Sequence, residues 1–338
     1  MLSAVTTRVF YGTMADAPEV HNGAWLSAFL GAALAIPALY IIRKSAIRAR
    51  EASKSDAAAR TFLCAAFAAA LVLDAAKVLE GVAISAGCVI FERVAAQALV
   101  VPLLLVALRA IWLGGDAIGY AARAWVFPFA LLTLLVILLQ AHCFRPGWLA
   151  PVLGFGLRGV ARAGIRSAGW TVMIAGAVLL LNGREEVPGF LRITRDIGTA
   201  GAVAAALIAL RLMITPSMDA PGMQRMVQID SLLTNGRAPL SFQLPMIVIW
   251  FGGLLTLYCL ECWAAAALIG RCLPGSDVRL IGIAVVAATS LIALCGADII
   301  RAMGVWVDNQ LSALTAAAVP SAFIRSAKGG KRTCDASG

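Results

Sequence analysis

The sequence predicts an all-α polytopic membrane protein with about ten transmembrane helices, arranged as a five-plus-five inverted repeat with interrupted helices 1 and 6. Hydrophobic residues make up 61% of the 338-residue chain and charged residues only 14%, and the mean hydropathy is +0.88. Apolar stretches recur along the chain, each close to the ~20 residues that a helix needs to cross the hydrocarbon layer. Because the backbone in lipid must satisfy its own hydrogen bonds, each stretch is expected to be a helix.

Nine apolar stretches define the predicted helices 2 to 10. In chain order they are Trp25–Ile42, Phe62–Ala86, Ala95–Leu113, Trp125–Cys143, Trp170–Leu181, Ile197–Ile214, Leu244–Ile269, Leu280–Ala297 and Trp306–Ile324. The N-terminal stretch Met1–Val20 is more polar, since Asp16, Pro18 and Glu19 interrupt it. We interpret it as a short, broken first helix. The alternative is a chain of nine helices whose N-terminal stretch lies at the membrane interface.

Basic residues near the helix ends predict the orientation. They concentrate in the loop after helix 2 and in the C-terminal tail: Arg43, Lys44, Arg48, Arg50, Lys54 and Arg60, then Arg325, Lys328, Lys331 and Arg332. Ten helices place both segments on one side, so both termini are predicted to be cytoplasmic, whereas nine helices would separate them. The net charge of +10 is then explained by anionic lipid and not by nucleic acid. Residues 1–324 form one predicted transmembrane domain with repeats at about 1–143 and 144–324, and residues 325–338 form a basic tail.

No motif in the chain indicates catalysis, a cofactor or a metal. Cys259 and Cys262 have CxxC spacing but lie inside a predicted membrane helix, and the only histidines are His21 and His142. A zinc site needs four converging ligands. Phosphate-binding loops, nucleophile elbows and kinase motifs are also absent from the sequence. We therefore expect neither an enzyme nor a cofactor-dependent protein.

Charged residues inside predicted helices are the first candidates for a functional site, because charge in the membrane is costly. In helix 3, Asp74, Lys77 and Glu80 lie three residues apart and share one face. Asp74 and Lys77 are close enough to pair directly. This face either lines a pathway or forms a neutralised cluster between helices. Glu261 in helix 8 is either a proton carrier or an ordinary partner of a neighbouring helix.

A glycine-rich stretch, Gly147–Gly164, precedes the apolar part of helix 6 and predicts an interruption. The N-terminal stretch has a similar character, which places two broken segments at corresponding positions of the two repeats. Transporters with inverted repeats bind ligands at such breaks. Alternatively, the glycines permit close helix packing and the basic residues form an interfacial segment. The predicted ligand-binding residues are Gly154, Phe155 and Gly156 of this stretch, Asp16 of the N-terminal stretch, Gln243 at the start of helix 8, and Asp74 and Lys77 of helix 3. Glu80 and Glu261 are possible coupling or buried charges.

Three stretches carry a resemblance to a known family. They are Asn22–Gly31, Trp148–Val160 and the segment from Asp230 through Gln243 to Trp250. With them, the chain resembles the integral-membrane B subunits of spore germinant receptors, the GerAB-type permeases of the amino acid–polyamine–organocation superfamily. The resemblance implies a LeuT/APC-like fold, the bacterial spore inner membrane, and A- and C-type receptor subunits as partners. It also implies a pocket for a small amino-acid-like ligand among helices 1, 3, 6 and 8.

The resulting functional prediction is a permease-like subunit of a spore germinant receptor that binds a small amino-acid-like germinant and signals germination. The first alternative is a proton- or sodium-coupled amino acid transporter, which Asp74 and Glu261 favour. The second is a membrane structural or assembly subunit without a small ligand.

Overall fold

The structure, a computed structural model, describes residues 5–9, 20–48, 55–89, 96–139, 144–154, 156–181, 189–214, 243–273 and 275–295. Within these ranges the chain is helical apart from short connections. The helices are α1 (residues 5–9), α2 (Ala24–Arg48), α3 (Ser55–Val89), α4 (Ala96–Leu113), α5 (Gly115–Leu139), α6 (Leu157–Leu181), α7 (Phe190–Ile214), α8 (Gln243–Cys272) and α9 (Val278–Cys295). Two short 3-10 helices, His21–Gly23 and Pro146–Leu149, precede α2 and α6. The predicted helix 10, Trp306–Ile324, lies outside the described residues.

Two helices begin well before their predicted start. The α5 helix begins at Gly115 and not near Trp125, and α6 begins at Leu157 and not near Trp170. The added turns carry charged side chains such as Asp116 and Arg158, which are exposed. A prediction from hydropathy leaves such charged turns out of the helix. Their backbone groups still form helical hydrogen bonds, so the helix extends beyond the apolar stretch.

Four of the described helices are long and apolar enough to cross a membrane on their own: His21–Lys44, Leu157–Leu181, Phe190–Leu210 and Phe251–Cys272. Val100–Leu113 and Gly115–Phe129 meet the same criterion only together, as a pair bent by 118°. The bend falls at Gly114, whose φ of 91° is a conformation that glycine adopts without strain. The chain is thus a polytopic, all-helical integral membrane protein.

The helices form two packed groups. In the first group α2 packs against α6 and α7, and in the second α3, α4, α8 and α9 pack against one another, with α5 against α4 and α8. The groups meet where α6 contacts α3 and α8. Helices α2 and α7, and likewise α3 and α8, are the corresponding helices of the two predicted repeats, and each of these pairs is in contact.

Several helix ends meet at one face of the molecule. Arg271 near the end of α8 donates hydrogen bonds to the carbonyls of Leu180 and Leu181, the last residues of α6. Its positive charge also suits the negative end of the α6 dipole. Cys272 donates to the carbonyl of Thr61 near the start of α3, with Sγ and O 3.5 Å apart. The start of α3 and the ends of α6 and α8 therefore lie together. This agrees with helices that cross the membrane in alternating directions, because an odd-numbered helix then starts on the side where even-numbered helices end.

Small residues allow the close packing of the first group. A Cβ added to Gly31 of α2 would lie 2.4 Å from Oγ of Ser167 of α6, and one added to Gly201 of α7 would lie 2.2 Å from Cβ of Ala32. Ala28, Ala32 and the other α2 residues on this face are buried. Membrane helices use such residues because dispersion contacts, and not the hydrophobic effect, drive their association.

Gly201→Leu is therefore expected to destabilise the protein by about 1–3 kcal/mol, because the side chain has no room between α7 and α2. Gly198 on the same helix is a matched control, since a Cβ there meets nothing within 4 Å. Gly198→Leu should be neutral or slightly stabilising, as leucine is the better helix former. Thermal unfolding of both variants in detergent measures the difference. Equal stabilities would contradict the close approach of α7 to α2.

Candidate functional site

A buried ion pair joins the first helix to the third. Nε of Arg8 in α1 donates to Oδ2 of Asp74 in α3 at 2.7 Å, and Nη2 donates to Oδ1 at 2.5 Å. The two side chains are only 5% and 3% exposed. The two parallel hydrogen bonds form the fork geometry in which arginine and a carboxylate bind most strongly. This contact fixes α1 against α3 inside the membrane domain.

The Arg8 guanidinium also lies over an aromatic ring. Its Cζ is 4.3 Å from the ring centroid of Trp170, a buried residue in the middle of α6. A cation over an indole ring is attracted by the electron-rich face, and more strongly where water is excluded. Arg8 is thus held between α3 and α6, which belong to different helix groups.

Glu261 of α8 lies beside this pair. The residue is 1% exposed, and in the described part of the chain no N–H or O–H group donates a hydrogen bond to its carboxyl oxygens, although the Asp74 carboxyl group lies within hydrogen-bond reach. Its carboxyl group interacts electrostatically with both Asp74 and Arg8. A buried carboxylate without hydrogen-bond donors is costly, because nothing replaces the water that it has lost.

If Arg8, Lys77, Asp74 and Glu261 are all ionised their charges sum to zero, but both cations act on Asp74 and only Arg8 acts on Glu261. Arg8 and Asp74 neutralise each other, and Lys77, which is half-buried, adds attraction to Asp74 from the same helix. An ionised Glu261 would then face the negative Asp74 across the pair. The local charge therefore favours a proton, or another positive group, at Glu261.

The four side chains come from helices 1, 3, 6 and 8 and lie at the junction between the two helix groups. We call Arg8, Asp74, Trp170 and Glu261 the junction cluster. The sequence analysis singled out Asp74 and Glu261 but missed Arg8 and Trp170. Charge balance could have indicated Arg8, because two acids in the membrane require a cation. Asp74 pairs with Arg8 through two hydrogen bonds, although the sequence suggested Lys77 as its partner.

The glycines predicted to bind a ligand lie elsewhere. Gly154 and Gly156 belong to the connection between the 3-10 helix Pro146–Leu149 and α6. The α6 helix is continuous from Leu157, so the interruption lies at its N-terminal end and not at its centre. At a rise of 1.5 Å per residue, Trp170 is roughly 20 Å further along α6. The predicted ligand-binding residues of helix 6 and the junction cluster therefore lie in two separate parts of the molecule.

The interruption before α6 packs against the start of α2. Nδ2 of Asn22 donates to the carbonyl of Ala150 at 2.8 Å, and a Cβ on Gly154 would lie 2.0 Å from the carbonyl oxygen of Val20. Val20 also packs with Val160 in a small apolar cluster. Two of the stretches that carry the family resemblance are thus in direct contact.

Of the other predicted site residues, Asp16, Phe155 and the side chain of Gln243 lie outside the described residues, and Glu80 is half-buried in α3.

Comparison with known proteins gives a likeness of structure only. No family model matches the chain, and no curated protein matches it. The chain is similar to the solved structure of Mhp1, a nucleobase-cation-symport-1 family transporter in a closed conformation with bromovinylhydantoin bound. The TM-score is 0.54 at 14% sequence identity, over 95% of this chain and 76% of that one. This likeness confirms the predicted LeuT/APC-like fold. The chain therefore has the fold of a membrane transporter.

Proposed function

We propose that the protein is a permease that moves a small amino-acid-like solute together with a cation. The observation that carries the proposal is the carboxyl group of Glu261, buried beside the Arg8–Asp74 pair and without a hydrogen-bond donor among the described residues. Ionisable groups of this kind are expensive in a membrane domain and characterise ion and substrate pathways. The transporter fold supports the same function.

The position of the junction cluster suits alternating access. Trp170 lies on α6 of the first group, whereas Asp74 and Glu261 lie on α3 and α8 of the second. Arg8 on α1 contacts both Asp74 and Trp170. A solute or ion bound here contacts both groups and so favours one of their relative positions. An amino acid offers an ammonium group for Glu261 and a carboxylate for Arg8 or Lys77, which is the reason for proposing this class of solute.

A second candidate is the germinant-receptor subunit, with A- and C-type subunits as partners. It is supported by the sequence resemblance and by the contact between two of the stretches that carry it, made by Asn22 and Ala150. In this case solute binding would change the arrangement of the helices and signal to partners without net uptake. The solute class and the pocket are the same as for the permease.

Uptake into liposomes tests the proposal. The purified protein is reconstituted, and uptake of labelled amino acids and nucleobases is measured under an imposed proton or sodium gradient. We expect gradient-driven uptake of at least one amino acid and its loss in Glu261→Gln. The matched control Asp116→Asn changes an exposed acid of α5 and should leave uptake unchanged.

Thermal stability in detergent, measured with the same compounds, separates the alternatives. A solute at 100 times its Kd should stabilise the folded protein by about 2.7 kcal/mol. Selective stabilisation without uptake would contradict the permease and favour the receptor subunit. Neither stabilisation nor uptake for any compound would contradict both and favour a structural subunit.

A further inference from the structure

We infer that Glu261 binds one exchangeable proton, and that this proton decides whether Arg8 is held by Asp74 alone or is shared with Glu261. The inference rests on the proposed function and identifies its coupling ion. It assigns different roles to two acids that the sequence presents as equivalent.

The partners of the two carboxyl groups are unequal. Asp74 accepts two hydrogen bonds from Arg8 and is also attracted by Lys77. Glu261 is as deeply buried, yet neither of its oxygens accepts a hydrogen bond from a described residue. A paired carboxylate is stabilised as an ion, whereas an unpaired one is relieved of its cost by a proton. Asp74 is therefore the permanent ion of the cluster and Glu261 the proton acceptor.

The surroundings of Glu261 favour a proton over a metal cation. Arg8 approaches from α1, and Asp74 and Lys77 from α3. In α8 itself the neighbouring titratable groups are the buried Tyr258, Cys259 and Cys262. The described titratable groups of α4, α5 and α9, which also pack on α8, are all exposed: Arg109, Asp116, Tyr120, Arg123, Asp277 and Arg279. On α6, Arg158 and Arg162 are exposed and Arg166 is half-buried.

A sodium ion would need several oxygen ligands, which inverted-repeat transporters supply from unwound backbone. Glu261 lies within the continuous helix Gln243–Cys272, so the neighbouring carbonyls are already used in helix hydrogen bonds. In the described part of the chain, no group of three or more His, Cys, Asp or Glu side chains could hold a metal ion. A proton needs only one oxygen and removes the charge.

Loss of the proton would change the partner of Arg8. Glu261 releases it to water and becomes a carboxylate, so two negative groups then compete for one guanidinium. Both acids belong to the α3–α8 group, while Arg8 is on α1 and its aromatic neighbour Trp170 is on α6. A shift of Arg8 toward Glu261 would therefore move α1 relative to α3 and alter the Arg8–Trp170 contact. This gives the proton a direct effect on a two-state arrangement of the helix groups.

Infrared spectroscopy of the protein in liposomes tests the proton directly and needs no solute. We expect the C=O band of a protonated carboxyl group at neutral pH, its loss on titration to alkaline pH, and its absence from Glu261→Gln. The conservative variant Glu261→Asp should keep such a band at a shifted position, and Asp116→Asn should leave the wild-type band in place. A band that persists in Glu261→Gln, or no band in the wild-type protein, would overturn the inference.

Tryptophan fluorescence tests the effect on Arg8. The wild-type emission should change over the pH range in which the infrared band is lost, and the change should be absent from Trp170→Phe and from Glu261→Gln. A fluorescence change that survives in both variants would contradict the proposed exchange of partners.

The outcomes of these experiments also separate this inference from the proposed function. A proton on Glu261 without uptake of any solute would contradict transport alone, whereas gradient-driven uptake by the wild-type protein without a carboxyl band would contradict the proton site alone.

Discussion

Arg8→Met is expected to destabilise the protein by about 3–5 kcal/mol, the usual cost of removing one partner of a buried ion pair. Asp74 would lose both of its hydrogen bonds and would lie unpaired next to Glu261. Methionine has nearly the length of the arginine stem and keeps most of its packing against Trp170. The loss would therefore report the charge of Arg8 and not its volume. Denaturant unfolding in detergent gives the free energy.

A double variant shows whether the loss comes from the pair. Arg8→Met combined with Asp74→Leu removes both charges and should recover most of the stability, since an apolar replacement of a buried pair is often nearly neutral. The interaction energy from the double-mutant cycle is the quantity to compare. Arg109→Met is the matched control, because Arg109 is exposed on α4 and such changes cost at most about 0.5 kcal/mol. Equal losses in Arg8→Met and Arg109→Met would exclude an important role for the pair.

Hydropathy was sufficient to predict the helical membrane fold, because lipid imposes one requirement on every spanning segment. It placed the start of α4 and the end of α6 within one residue of their observed positions. It failed at the start of α6, where Arg158 and Arg162 lower the mean hydropathy of the segment although their side chains are exposed. It also could not show that α4 continues into α5 through a sharp bend at Gly114, since that bend depends on a backbone angle.

Residues of the candidate site were predictable only where a charged side chain lies within an apolar segment. Asp74 and Glu261 satisfied that condition, because each acid lies in an apolar stretch. Arg8 lies in an N-terminal stretch too polar to score as a helix, and its partner is 66 residues away, so no local pattern connects the two. Trp170 looked like any aromatic residue at the edge of an apolar stretch. The partners of buried charges thus required the tertiary structure.

Gly154→Ala is expected to destabilise the protein more than any other change of one methyl group in the interruption before α6. Gly154 has a φ of 54°, a conformation that costs a residue with a side chain about 1–3 kcal/mol. Its Cβ would also lie 2.0 Å from the backbone oxygen of Val20, and backbone cannot rotate away as a side chain can. The overpacking adds about 1–3 kcal/mol. Thermal unfolding in detergent measures the sum.

Gly156→Ala separates the contact from the backbone angle. Gly156 also has a positive φ, 123°, but a Cβ there meets nothing within 4 Å. This variant has the conformational cost alone, and that cost is at least as large as at Gly154 because a φ of 123° lies outside the left-handed region that alanine can adopt. A lower unfolding temperature of Gly154→Ala would therefore come from the contact with Val20. Asn22→Ala removes the hydrogen bond to Ala150 across the same contact and should cost about 1 kcal/mol. If Gly154→Ala were as stable as the wild-type protein, Val20 would not lie against Gly154, and the packing of the interruption on the start of α2 would be wrong.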